Sequence, residues 1–224
     1  MTAPVVIAVD GTAASGKGTL ARKLAAHFGF AHLDSGSLYR LAALGVLEAG
    51  GDPENEADAV AAARAVDPAR AGDAAIRTDA VGRAASQVSA IPAVRAALLQ
   101  FQRSFAARPP GGAPGAVIDG RDIGTIVCPD AAAKLFVDAT PEIRARRRFL
   151  ELKAHGIADS EAEVLADINA RDARDRARAI APMKPAPDAH LLNTSDLDIE
   201  PAFAAALALV KDKVEQRLAV RPRG

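Results

Sequence analysis

The chain has no tryptophan, one tyrosine and one cysteine among its 224 residues, and aromatic side chains make up 4% of it. A lone cysteine, Cys128 in "GTIVCPD", excludes an internal disulfide and reads as a small buried hydrophobe in a reducing compartment. So few aromatics argue against a surface on which nucleic-acid bases stack. An excess of charge is also missing. Lysine plus arginine total 28 and aspartate plus glutamate total 28, for a formal net charge of zero. No global field draws this chain to nucleic acid or to an anionic membrane, so any anion binding must be local. Long apolar runs are absent too. The longest, "AFAAALALV" at 202–210, is far short of the roughly 20 residues that cross a bilayer. The opening "MTAPVVIAVD" lacks the basic stretch of an export signal. A cytoplasmic protein with neither a membrane nor a nucleic-acid partner is expected, acting as a monomer.

What is present is the balance of a globular domain, 50% apolar and 25% charged. At this length one domain, 1–224, is the expectation. Four apolar runs end in an acidic residue: "PVVIAVD" (4–10), "FAHLD" (30–34), "AVID" (116–119) and "KLFVD" (134–138). "AHLLNTS" at 189–195 has the same look. Continuous rather than alternating apolar strands imply burial on both faces, and helical patterns separate them. The expected fold is therefore α/β, with a five-stranded parallel sheet flanked by helices. One helix opens at Lys17, carries Leu20, Leu24 and Phe28 as a stripe, and stops at Gly29. Another starts after Ile91 with Pro92 in its first turn and ends before Pro109. "TPEIRARRRFLELKAHG" takes Thr140 as cap and Gly156 as terminator. "DSEAEVLADINARDARDRARAIAP" is expected to be capped near Asp159 or Ser160 and closed by Pro182, and a last helix begins near Pro201. The Ala-rich stretch 50–75 carries no readable period.

Between the first strand and the first helix, Gly11, Gly16 and Lys17 fit the phosphate-loop spacing G-x-x-x-x-G-K. Backbone N–H groups of residues 12–19 would surround a phosphate, the positive helix end would face it, and Lys17 would reach the transferred group. Gly18 occupies the place where many such loops put a metal-binding hydroxyl, and Thr19 follows it. The "GKGT" ending is similar to that of nucleoside monophosphate kinases, in which Mg²⁺ is held mostly by ATP phosphates and water. A GTPase is disfavoured because no N-K-x-D string occurs; "NARD" at 169–172 lies in a helix and lacks the lysine.

A phosphate acceptor, being anionic already, requires cations rather than a base. "DSGSLYR" (34–40) puts Ser35 and Arg40 at the carboxyl edge of the sheet, where open α/β folds bind ligands. "DGRDIGT" (119–125) puts Asp119 there as an acid near Mg²⁺ or its waters, followed by Arg121 and Asp122. At about 100° per residue, Arg171, Arg174, Asp175 and Arg178 share one helix face, while Asp172 and Arg176 pair beside it. Alone this would read as an exposed, salt-bridged helix. Beside a phosphate loop it reads as a lid that closes its arginines over phosphates and excludes water.

These segments resemble bacterial cytidylate kinases, and the likeness spans nearly the whole chain. It rests on "VDGTAASGKGTLA", "LDSGSLYR", "IRTDAVGRAASQVSAIPAVRAALLQFQR", "VIDGRDIGT" and "INARDARDRARAIAP", of which the third is the most specific. The resemblance implies a P-loop kinase with a helical monophosphate-binding region at 35–100 and a lid at 150–180, transferring a phosphoryl group from ATP, with Mg²⁺, to CMP or dCMP. It implies that Gly11, Thr12, Ala13, Ala14, Ser15, Gly16, Lys17, Gly18 and Thr19 bind ATP, with Arg174 on its phosphates. Ser86, Arg95 and Asp122 would read cytosine. Ser35, Arg40, Arg121 and Arg178 would hold the CMP phosphate, and Arg171 and Asp175 would contact the sugar. Lys17, Arg121, Arg171 and Arg178 would form the catalytic set.

Two departures stand out. "ARAVDPARAGDAAIRT" (63–78) leaves little chain for the small antiparallel sheet that this family often inserts there. Ala14 also stands where related kinases often carry glycine, a methyl tolerable only if φ is negative. Two other readings compete. A shikimate-kinase-like enzyme would use Asp34 as base toward a hydroxyl acceptor. An ATP-dependent RNA-binding protein would use the arginine helix as a phosphate track, against which the scarce aromatics and zero net charge argue.

Overall fold

In a computed structural model, residues 3–154 and 160–220 are described. Strands β1 (Val5–Gly11), β2 (Ala31–Asp34), β3 (Gly115–Gly120), β4 (Ala133–Asp138) and β5 (His190–Asn193) form one sheet in the order β2-β3-β1-β4-β5. Every pairing is parallel, as the continuous apolar runs require. β3 is buried throughout, and β1 and β4 are buried except at Val6 and Asp138. Ile7, Val9, Val117 and Leu135 interlock on one side with helices α1 (Lys17–Phe28), through Leu20 and Leu24, and α8 (Ile199–Ala219). On the other side Ala8, Leu33 and Ile118 meet Ala106 of α5 (Pro92–Ala107).

The remaining helices build the walls above the carboxyl edge. α2 (Ser35–Glu48), α3 (Glu56–Arg64) and α4 (Asp79–Val88) share a second core with α5. α6 (Pro141–Ala154) and α7 (Glu161–Ala177) share a smaller one. β1 lies between β3 and β4, so the chain changes direction around it, and the loop after β1 opens at the switch point where such sheets bind ligands.

Several expectations need correction. The helix expected to run to Pro182 ends at Ala177. Arg178 takes extended dihedrals there because its guanidinium is drawn to Ser89 and Asp175, and Met183 N donates to Asp175 O at 2.9 Å. Of its two candidate caps, Ser160 closes a capping box with Glu163, while Asp159 and the terminator Gly156 lie outside the described residues. Residues 63–78 hold the end of α3 and two 3-10 turns, Pro68–Gly72 and Ala74–Arg77, with no strand. Ala14 has φ 57°, so the methyl sits in the left-handed region after all.

Candidate active site

The phosphate loop is shaped by contacts beneath it. Gly11 is required by a close approach: with φ 148°, a Cβ there would stand 1.9 Å from Val137 O. Thr12 Oγ1 donates to Asp138 Oδ1 at 2.5 Å, and Ser15 Oγ donates to Thr12 O at 3.0 Å. Thr194, just past β5, donates to Ser15 O at 2.9 Å. Gly16, with φ 87°, turns the chain into α1 without a side-chain cap, which leaves the helix N-terminus open to an anion. Lys17 Nζ folds back to Thr12 O at 3.3 Å. Desolvation, with Arg121 nearby, pushes its pKa down to about 7 against the opposing pull of Asp119 and Asp34.

Across from the loop, a cavity of about 400 Å³ is walled by all three layers. Ala13, Ala14, Gly16, Lys17, Gly18 and Thr19 line one side. Ser35, Arg40, Arg95, Asp119, Arg121 and Asp122 line the floor and far side, and Arg171, Arg174, Asp175 and Arg178 form the roof. Gly11, Thr12, Ser15 and Ser86 lie outside that wall: the first three support the loop from below, and Ser86 is buried behind Ala85 and Ser89. Arg174, expected at the donor phosphates, lines the cavity and donates from Nε to Ser86 Oγ at 3.2 Å, on the face of α7 that packs toward α4.

Charge organises the roof and floor. Asp175 is almost fully buried and bridges Arg121, 3.0 Å from its Nε, and Arg178. Burial opposes charge on Asp175, but Arg121, Arg178 and Arg171 outweigh it and hold the carboxyl below its usual range. Arg171 has less compensation. Burial and the neighbouring Arg121 push its pKa down to about 9, and Nε atoms of both Arg171 and Arg178 are buried with no acceptor among the described residues. Burial and Arg148 likewise depress Arg40. Such guanidiniums are held ready for an anion.

The far end of the cavity is set for a base. Arg95 Nη2 meets Asp122 Oδ2 at 2.5 Å in a buried pair, Arg95 Nη1 donates to Ser89 O at 3.1 Å, and the guanidinium lies 5.3 Å from the Tyr39 ring centroid. Asp10 anchors the loop that carries Arg121 and Asp122, accepting from Ile123 N and Gly124 N at 2.7 Å each. Asp119 Oδ1 accepts from His32 Nε2 at 2.8 Å, and a methyl on Gly18 would stand 3.6 Å from Asp119 Oδ2. Asp34, the base of the competing hydroxyl-acceptor reading, caps α2 through Ser37 N at 3.3 Å.

Sequence reasoning missed Ser89, Asp10, Thr194 and Arg148. Ser89 stands in the quoted segment "SQVSA", three residues after Ser86 and on the same helical side, which was the available signal. Arg148 pairs with Asp79 at 2.6 Å and with Glu151 at 3.1 Å at the cavity edge, and the two carboxylates together outweigh burial and raise its pKa.

The family model described as cytidylate kinase matches residues 7–212. The chain belongs to the cytidylate kinase family. The cytidylate kinase of Afipia carboxidovorans is 58% identical over 92% of this chain and 97% of its own length. That of Bradyrhizobium diazoefficiens is 56% identical over 98% and 100%, and that of Rhodospirillum rubrum 55% over 95% and 100%. Among solved structures, an uncharacterized protein from Eubacterium ventriosum aligns with a TM-score of 0.53 at 13% identity, covering 92% of this chain and 98% of that one, a likeness of fold alone. Membership of the cytidylate kinase family makes this chain a transferase of the kinase type. Among the described residues, no helix is long and apolar enough to cross a membrane.

Proposed function

We propose that this chain transfers the terminal phosphoryl group of ATP to CMP and dCMP, in line, between two nucleotides bound in the one cavity. The supporting observation is the convergence there of a phosphate loop and of guanidiniums on Arg171 and Arg178 whose buried Nε atoms lack acceptors among the described residues. In this reading residues 35–100 receive the monophosphate and 150–180 form the lid of a single domain that works as a monomer in the cytoplasm.

The loop amides and the α1 N-terminus hold the donor phosphates, and Lys17 balances charge on the group in flight. Arg40, Arg121 and Arg178 hold the acceptor phosphate, and Asp175 fixes the last two in place. No base is needed, because the attacking oxygen is already anionic. Arg171 contacts the sugar, and Arg174, beside Ser86, shields the acceptor side from water. The Asp122 carboxylate accepts the cytosine amine while Arg95 donates to ring acceptors; a uracil carbonyl facing Asp122 would leave two acceptors opposed.

The donor set suits Mg²⁺ held mainly by ATP phosphates and water. Among the described residues no cluster of three or more His, Cys, Asp or Glu could cage a metal, and Asp119, oriented by His32, stands in the cavity wall beside the loop. There Asp119 would hold a metal-bound water, and the ion would neutralise phosphate charge.

A coupled assay of ADP formation with CMP, dCMP, UMP, AMP and shikimate tests the reading. Turnover is expected with CMP and dCMP well above UMP; shikimate as best acceptor, or none of the five, would overturn it.

A further inference from the structure

The phosphate loop is tied to the lid at two successive residues. Ala13 O accepts from Arg144 Nη1 at 3.2 Å. Arg144 is only 2% exposed and reaches two other elements, donating from Nε to Ala139 O at 2.8 Å and placing Nη2 2.7 Å from Asp172 Oδ2. The contact with Asp172 is an ion pair rather than an aligned hydrogen bond, since neither carboxylate oxygen of Asp172 has a hydrogen-bond donor among the described residues. Asp138, the acceptor of Thr12 in the same loop, lies 3.9 Å from Arg144 Nε. The next residue, Ala14, packs against the cluster of Ala145, Leu152, Val164 and Ile168 that joins α6 to α7. That contact accounts for a methyl at φ 57°, where glycine would be unstrained.

Asp172 follows Arg171 directly and precedes Asp175 by one helical turn. A shift of Ala13 and Ala14 as the loop closes on a polyphosphate therefore moves the acceptor of a buried cation whose counter-charge sits on the helix carrying the acceptor-site arginines. A buried guanidinium cannot be left unpaired cheaply, so the loop and α7 must move together. We propose that Arg144 is a positioning residue that couples the donor loop to the arginine face of α7, with Ala14 as the second link, so that the two nucleotides bind cooperatively. This rests on the two-nucleotide reading above.

Titration calorimetry tests it: the CMP Kd is measured with and without a saturating non-hydrolysable ATP analogue and Mg²⁺. In the unaltered chain the analogue should tighten CMP binding by roughly 5- to 150-fold, the usual span of coupling between sites. Arg144→Lys keeps the charge but cannot span three acceptors. Ala14→Gly removes the methyl while relieving its strained φ, so it should melt close to the unaltered chain. Each should cut the tightening by at least about fivefold, where a purely structural residue would lower the melting temperature and leave the ratio alone. If CMP and the analogue bind but the ratio is unity, or is unchanged in both variants, the coupling proposal is overturned and the two-nucleotide reading stands. If neither ligand binds the unaltered chain, both fall. Should Arg144→Lys fail to fold, Ala14→Gly decides alone.

Discussion

Asp122→Asn is the sharpest test of how this cavity would choose its base. Asn preserves volume and removes the charge that sits 2.5 Å from Arg95 Nη2. An acceptor bond from a charged group to the cytosine amine contributes about 1.5–3 kcal/mol, so its loss should lower kcat/KM for CMP by about 10- to 150-fold. Asn can also turn its NH₂ toward a uracil carbonyl, so UMP should lose nothing and the CMP-to-UMP ratio should fall by at least about tenfold. Stability bounds the interpretation. Arg95 would keep its bond to Ser89 O and its place beside the Tyr39 ring, so it is not orphaned, and about 2 kcal/mol of lost pairing is expected. At about 2–4 °C per kcal/mol for a domain of this size, Tm should fall by about 4–8 °C, leaving the variant folded at 25 °C. Initial rates of ADP formation over a range of each acceptor give the two kcat/KM values. A CMP-to-UMP ratio within about twofold of the unaltered chain, with Tm lowered as expected, would refute the assignment.

Lys17, with its pKa pushed down to about 7, is largely neutral at pH 8 in the free protein. A polyphosphate favours the ammonium, so ATP binding should take up close to one proton there, and ATP affinity should fall as pH rises above about 7. Calorimetry at pH 8 in buffers of different ionisation enthalpy reads that uptake; equal heats in all buffers would contradict it, and Lys17→Met should abolish it. Gly11→Ala puts a Cβ 1.9 Å from Val137 O at a φ that L-residues avoid, so a loss of at least about 3 kcal/mol is expected, seen as a Tm drop of about 6 °C or more or as insoluble protein.

The sheet was readable because both of its faces are covered: burial on each side leaves no polar alternation, and five apolar runs stand out from an otherwise charged chain. α1 was equally plain, since Gly29 does close it in the left-handed region. Arg144 was hidden for the opposite reason. In "EIRARRRF" it looks like one more solvated cation, and Asp172 is 28 positions away, a separation no local period reveals. The end of α7 failed similarly. Local preference continues toward Pro182, but ties from Arg178 to Ser89 and Asp175 prevail. Residues 50–75 resisted because alanine satisfies helix, turn and core alike, and they reach the second core through small side chains such as Ala59 and Ala63.

The balanced net charge conceals the feature that matters most. In a protein with equal numbers of cations and anions, each buried arginine could have a carboxylate of its own, as Arg95 has Asp122. The roof of the cavity departs from that pattern: one carboxylate, Asp175, serves Arg121 and Arg178 together, and Arg171 stands beside them with its Nε unsatisfied among the described residues. Crowding like charges in a desolvated space costs stability, which is why Arg171, Arg178 and Arg40 all bind their protons less tightly than usual. An exposed salt-bridged helix would carry no such cost, because water would screen it. The cost is recovered when an anion enters, and more completely for two phosphate groups than for one. The same crowding of guanidiniums in the roof therefore favours a reaction in which donor and acceptor are both phosphorylated.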